Sequence, residues 1–358
     1  MNINRRSFLS ALGAAAAAAS CPAAAVKPGQ RPDFFWCDLI HFGHKMWGDL
    51  PRVPERNGIM TKFLTDAEWE IISRPEHQSL ERMHFEEKFW GELSAKLLKD
   101  GCNTIMLDVG EGLIYPSHPE LALKDSWTPE RLKAEVDRLR GMGFYVIPKL
   151  NFSTTHDEWL GDYARMVSTA TYYQVCADVI KDVFDVFGPV KDFHIGFDEE
   201  DMPTYQRNAS LMVMRQGELW WHDINWFVRE VEKHGARAWV WSDYARRHPM
   251  AEFAKKMPRT VVQNPWNYSA KAPFGENKLI QLYSKLTDAG YDVIPCGSNC
   301  YGYLDNFPGM AEYCAKALPR EHFKGMLMAP WIKTIEPYRR LHWQASDLIA
   351  EAIRRARI

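Results

Sequence analysis

Short apolar runs alternate with longer amphipathic stretches along this chain, and the alternation repeats eight times. The runs are Phe34–Leu39, Thr104–Asp108, Tyr145–Leu150, Phe193–Phe197, Ala238–Ser242, Thr260–Gln263, Asp292–Cys296 and Gly325–Ala329. Most are continuously apolar, as strands covered on both faces must be. Between them lie helical patterns such as Phe85–Lys99, Pro129–Met142, Tyr172–Phe187 and Gly217–His234. Thr128-Pro129 reads as a helix start, with threonine as N-cap and proline in the first turn. Gly101, Gly143, Gly235 and Gly290 each stand between a helix and the next strand, where a left-handed cap is needed. Eight βα units predict an α/β chain folded as a single (β/α)8 barrel. A doubly wound open sheet is the alternative, but no Gly-x-Gly-x-x-Gly follows any of the runs.

Residues 1–25 stand outside this pattern. Asn4-Arg5-Arg6-Ser7-Phe8-Leu9 is a twin-arginine pattern, and Ala11–Ala19 is an apolar run too short for an ordinary membrane span. Ala23-Ala24-Ala25 fits a small-residue cleavage site. We read a Tat-type export signal, with residues 26–358 forming one barrel-sized domain in the periplasm or outside the cell. Lipidation at Cys21 is the rival reading, since Ala18-Ala19-Ser20-Cys21 loosely matches a lipid-attachment site. No later apolar run is long enough to span a bilayer. A formal net charge of −2 without a basic block gives no support to nucleic-acid binding. Six cysteines follow Cys21; an oxidising compartment permits disulfides, but no spacing fixes a pairing. No Cys-x-x-Cys or His-Glu-x-x-His points to a metal, no cofactor is implied, and the oligomeric state stays open.

The chemistry concentrates after the fourth run. Phe193-His194-Ile195-Gly196-Phe197 leads directly into Asp198, Glu199, Glu200 and Asp201. Carboxylates at the C-terminal end of a buried strand are where a barrel of this kind places its reactive groups. Crowding them disfavours ionising all of them, which favours one protonated member as a general acid. An acidic helix start would look the same in sequence. Two long segments, His41–His84 and Gly110–Trp127, follow the first and second runs and are long enough to shape a binding site. Fourteen tryptophans and fourteen tyrosines suit stacking on sugar rings, although they are also ordinary core material.

His194-Ile195-Gly196-Phe197-Asp198-Glu199 resembles the His-x-Gly-Gly-Asp-Glu motif of glycoside hydrolase family 20, the β-N-acetylhexosaminidases. Other strand ends agree in order. Asn103–Asp108 resembles that family's second strand, which ends in aspartate. Val146-Ile147-Pro148 followed by His156 resembles its third. Trp241, Trp266 and Trp331 fall where the family places tryptophans, and Tyr303-Leu304-Asp305 matches its Tyr-Leu-Asp after the seventh strand.

The resemblance implies a carbohydrate substrate and a route in which the sugar's own 2-acetamido oxygen attacks the anomeric carbon. Asp198 would orient the acetamido group and Glu199 would act as general acid, then base. Asp108, His156, Trp241, Trp266, Tyr303, Asp305, Trp331 and Lys333 would bind the sugar, with Tyr303 on the acetamido oxygen. The chain departs from the family at some sugar-gripping positions. No arginine lies in Asp38–Phe42, Lys149 and Lys333 stand where the family has glutamates, and Phe197 replaces a glycine. Lys333 would place a cation where a neutral sugar expects an acceptor, which suits a modified or acidic glycan. Two other readings stay open. Asp108 or Glu111 could pair with Glu199 in a direct two-carboxylate mechanism. A barrel that only binds carbohydrate is the other, although binding alone needs no general acid. His194 reads as a core or supporting histidine, and Asp243 as either a site residue or a helix cap.

Overall fold

The computed structural model describes residues 29–47, 61–202 and 212–358. The export-signal and lipidation readings, over residues 1–25, lie outside the described residues. Eight strands run in chain order: β1 (Phe35–His41), β2 (Thr104–Asp108), β3 (Tyr145–Lys149), β4 (Asp192–His194), β5 (Arg237–Trp241), β6 (Val262–Asn264), β7 (Cys296–Gly297) and β8 (Gly325–Met328). They are parallel, and β1 pairs with both β2 and β8. Parallel bridges Gln263–Val293 and Trp266–Cys296 join β6 to the β7 segment. The expected (β/α)8 barrel is therefore the fold.

Strand positions follow the apolar runs, with two instructive differences. The run Asp292–Cys296 yields a regular strand only from Cys296. Pro295 has no N–H for the ladder, so the earlier part pairs through isolated bridges at Val293. The run Phe193–Phe197 ends as a strand at His194. Gly196 and Phe197 then take φ of +79° and +68°, which no strand can continue.

The helix after Thr128 starts and stops where its caps predicted. Thr128 Oγ1 accepts from Arg131 N at 3.3 Å at the start of the helix Pro129–Met142, and Gly143 ends it at φ +117°. The helix Ala170–Phe187 buries Val175, Val179, Ile180, Val183 and Phe187, an i, i+4 stripe turned to the sheet. At the N-terminal end of the barrel, the buried Asp192 carboxylate accepts from Arg31 Nε (2.7 Å), Tyr145 Oη (2.8 Å) and Trp239 Nε1 (2.9 Å). That network closes the end opposite the acidic cluster. Cys37, Cys102, Cys176, Cys296, Cys300 and Cys314 are free and buried. Among the described residues, no helix is long and apolar enough to cross a membrane.

Asp38 of β1 is fully buried, and burial pushes its carboxyl well above the ordinary range, so it sits neutral. The unfolded chain releases this proton near pH 4, whereas the folded chain keeps it. Stability contributed by the protonated form is thus complete below that pH and falls as pH rises, by about 1.4 kcal/mol per pH unit for one proton. Asp38→Asn should remove this slope. Thermal unfolding from pH 4 to 8 checks it, with the variant gaining on the wild type as pH rises.

Candidate active site

The exit of β4 presents the two carboxylates to one face. Successive strand residues point to opposite sides, so neighbours cannot normally both face the mouth. Here Phe197 and Glu199 adopt φ of +68° and +59°, and the alternation is broken on both sides of Asp198. Five non-glycine residues have positive φ among the described residues, and three of them, Phe197, Glu199 and Trp331, belong to this site. Such conformations are strained by about 1–3 kcal/mol each and persist where surrounding contacts hold them. Gly196 is required for another reason: a Cβ there would lie 1.8 Å from Asn151 Oδ1.

The loop leaving β3 clasps Asp198. Asn151 Oδ1 accepts from Ser153 N (3.0 Å), which leaves its amide to donate to Asp198 Oδ1 (3.1 Å). Ser153 and Thr155 hydroxyls both donate to the Asp198 carbonyl. His156 sits between the two acids, with Nδ1 at 3.6 Å from Asp198 Oδ1 and Nε2 at 3.4 Å from Glu199 Oε2. Thr155 Oγ1 lies 2.6 Å from His156 Nδ1. Asp198 is buried, whereas the Glu199 side chain retains 19% exposure, enough to meet a ligand from the open side. His156, Asp198 and Glu199 offer ligand-type atoms within 4.8 Å of one another, a spacing that could hold a cation and equally suits proton transfer.

The four acids divide by environment. Glu200 turns inward to Arg215 and accepts from Thr154 N at 2.9 Å. Arg215 also meets Asp223 at 3.4 Å and lies 4.3 Å over the Phe197 ring. Glu200 is thus a buried structural partner and does not crowd Glu199 as its position in sequence suggested. Asp201 faces Arg247 and His248. The additional acid at the site is Asp243, at the exit of β5. Burial and the charge of Asp198 push its carboxyl up to about 7. Trp266 Nε1 donates to Asp243 Oδ2 at 2.8 Å, so Asp243 lines the site.

Aromatic rings wall the mouth. Trp241 packs against His194 (4.6 Å between centroids) and Trp331 (5.7 Å). Trp331 meets Tyr268 (6.2 Å), which stacks on Trp266 (5.0 Å) and approaches Tyr301 (6.3 Å). His194 Nδ1 accepts from Gly196 N at 3.0 Å, a supporting role.

Of the residues singled out in the sequence, Asp198, Glu199, His156, Trp241, Trp266 and Trp331 come together. Asp108 lies deeper, bonded to Lys149 Nζ (2.7 Å) and 3.2 Å from His41 Nδ1. Burial opposes its charge, but Lys149 and His41 outweigh that and hold its carboxyl below the usual range. Tyr303 stands at the surface with Lys271 Nζ 4.1 Å over its ring. Asp305 pairs with Arg355 at 2.5 Å. Lys333 donates to the His77 carbonyl, and burial lowers its ammonium to about 8. Sequence reasoning missed Asn151, Tyr268, Tyr301 and Arg215. Asn151 directly follows the apolar run Tyr145–Leu150, which is a usable signal. Tyr268 and Tyr301 sit two residues from the marked Trp266 and Tyr303, and loop geometry alone separates them.

The fold and this mouth define a (β/α)8 barrel with an acid pair at the strand ends. No protein-family model matches the sequence, and no curated protein matches it. Solved structures do match in fold. A β-N-acetylhexosaminidase from Bacteroides fragilis NCTC 9343 superposes with a TM-score of 0.54 at 14% identity, over 88% of this chain and 66% of that one. A Flavobacterium johnsoniae chitobiase of family GH20 gives 0.54 at 14%, over 76% and 48%. Dispersin B gives 0.51 at 14%, over 75% and 94%. The chain spans just under two thirds of the first of these proteins and about half of the second. The barrel is thus like those of family GH20 hexosaminidases, a likeness of fold.

Proposed function

We propose that this chain is an exported glycoside hydrolase of β-N-acetylhexosaminidase type, removing a terminal amino sugar or a modified form of one. The observation that carries the reading is the adjacent pair Asp198–Glu199, bridged by His156 and walled by Trp241, Trp266 and Trp331. In the proposed reaction Glu199 protonates the glycosidic oxygen as the bond to the anomeric carbon breaks. The substrate's acetamido oxygen forms the new bond to that carbon, and Asp198 accepts from the acetamido N–H. Water then attacks the anomeric carbon, Glu199 takes its proton, the acetamido group leaves, and configuration is retained. The aromatic walls exclude bulk water, which strengthens each charge acting inside.

The direct two-carboxylate route is less well supported. Asp108 is engaged by Lys149 and His41, and Glu111 accepts from the backbone N–H groups of His44 and Lys45 at 2.5 and 2.7 Å. Both carboxylates already hold protein partners that a nucleophile would have to share. Export rests on the twin-arginine pattern of residues 1–25. The deciding experiment is a screen of the purified protein against chromogenic glycosides with and without a 2-acetamido group. Hydrolysis confined to acetamido sugars is expected; equal rates on plain glucosides would move the assignment to the direct route.

A further inference from the structure

The contacts around the cleft form a circuit that begins and ends at the exit of β5. Trp241 meets Trp331, Trp331 meets Tyr268, Tyr268 stacks on Trp266, and Trp266 Nε1 donates to Asp243. Trp241 and Asp243 are each 2% exposed. Both carry a polar atom with no hydrogen-bond partner among the described residues: Trp241 Nε1 and Asp243 Oδ1. Arg246 Nη1 stands 3.7 Å from Asp243 Oδ1, within ion-pair range but beyond hydrogen-bond length. Buried donors and acceptors are normally satisfied, and leaving them unsatisfied is costly.

The two atoms select a chemistry. An indole N–H can only donate, and the Asp243 carboxylate in its ionised form can only accept. A cation would be repelled by the indole N–H, and an anion by the carboxylate. A neutral group that accepts and donates at once satisfies both, and a hydroxyl is that group. The surrounding ring faces suit the C–H faces of a sugar.

We propose that Trp241 and Asp243 form a two-point clamp on one ring hydroxyl of the bound sugar. The hydroxyl accepts from Trp241 Nε1 and donates to Asp243 Oδ1. The clamp makes these residues determinants of which sugar is accepted, and it rests on the glycosidase reading above.

The test is steady-state kinetics on the best chromogenic substrate and on a matched series, each member lacking one ring hydroxyl. The wild type should lose about 10- to 100-fold in kcat/KM at one position, the range for a hydrogen bond to a charged group. Asp243→Asn and Trp241→Phe should show similar losses on the parent substrate. They should add almost nothing to the loss on that one deoxy compound, while remaining additive on the others. Equal losses across the whole series would mean that the two residues only shape the wall, and would overturn the clamp. A wild-type series in which no single hydroxyl matters overturns it without any variant. A wild type that neither hydrolyses nor binds any glycoside overturns the glycosidase reading itself, a separate result that removes the clamp as well.

Discussion

Glu199→Gln is expected to lower turnover of an accepted glycoside by about 10²–10⁴-fold, the usual share of general acid–base catalysis. Glutamine keeps the length of the side chain and can remain beside His156, so the substrate pocket should survive and KM should change little. What is lost is the transferable proton. The defect should therefore depend on the leaving group. A substrate whose departing phenolate needs no protonation should lose much less in its bond-breaking step than one with a poor leaving group. The pH–rate profile should also lose the limb set by the acid. A variant with near-normal turnover, or a defect equal for all leaving groups, would remove Glu199 from the role. The site supports this assignment by exposure as well as by position. Asp198 and Glu200 are buried among protein partners, whereas Glu199 remains accessible from the cleft.

Asp198→Asn is expected to lower kcat/KM on an acetamido substrate by about 10²–10³-fold, the range for removing one preorganised electrostatic group. Asn151 can still donate to the remaining carbonyl oxygen, so the clasp from the β3 loop should hold. The negative charge that would face the acetamido N–H and the developing cation is gone. A second readout follows from Asp243. Its carboxyl is raised to about 7 by burial and by the charge of Asp198. Removing that charge favours ionised Asp243, so its titration should move to lower pH in the variant. Carboxyl chemical shifts in an NMR titration would show the move. An Asp198→Asn enzyme that cleaves acetamido substrates at the wild-type rate would exclude assistance from the acetamido group.

Much of the barrel was legible because its signals are local. A continuous apolar run, a threonine-proline start and a glycine stop act within a few residues, so Thr104–Asp108 and Pro129–Met142 appear where the sequence placed them. The place of the acidic cluster was legible for a related reason: it directly follows a buried apolar run, the end of a barrel strand where reactive groups are placed. The partition of the acidic cluster was not legible. Glu200 differs from Glu199 only by one position, yet Arg215 and the Thr154 amide capture it. Those partners lie 15 and 46 residues away. The loop residues after β7 show the same limit. Tyr303 carries the motif, but Tyr301 is the one beside Tyr268, because loop backbone angles leave no sequence period to read.

The sequence by itself determined the architecture and the strand that carries the acidic cluster, since each depends on local pattern and residue type. Only the tertiary structure decided how each carboxylate is engaged. Ionisation and reach are set by what packs within a few ångströms: Arg215 for Glu200, Lys149 for Asp108, and Asp198 with Trp266 for Asp243. Those neighbours are distant in the chain and are brought together by barrel closure, a property of the whole fold rather than of any segment.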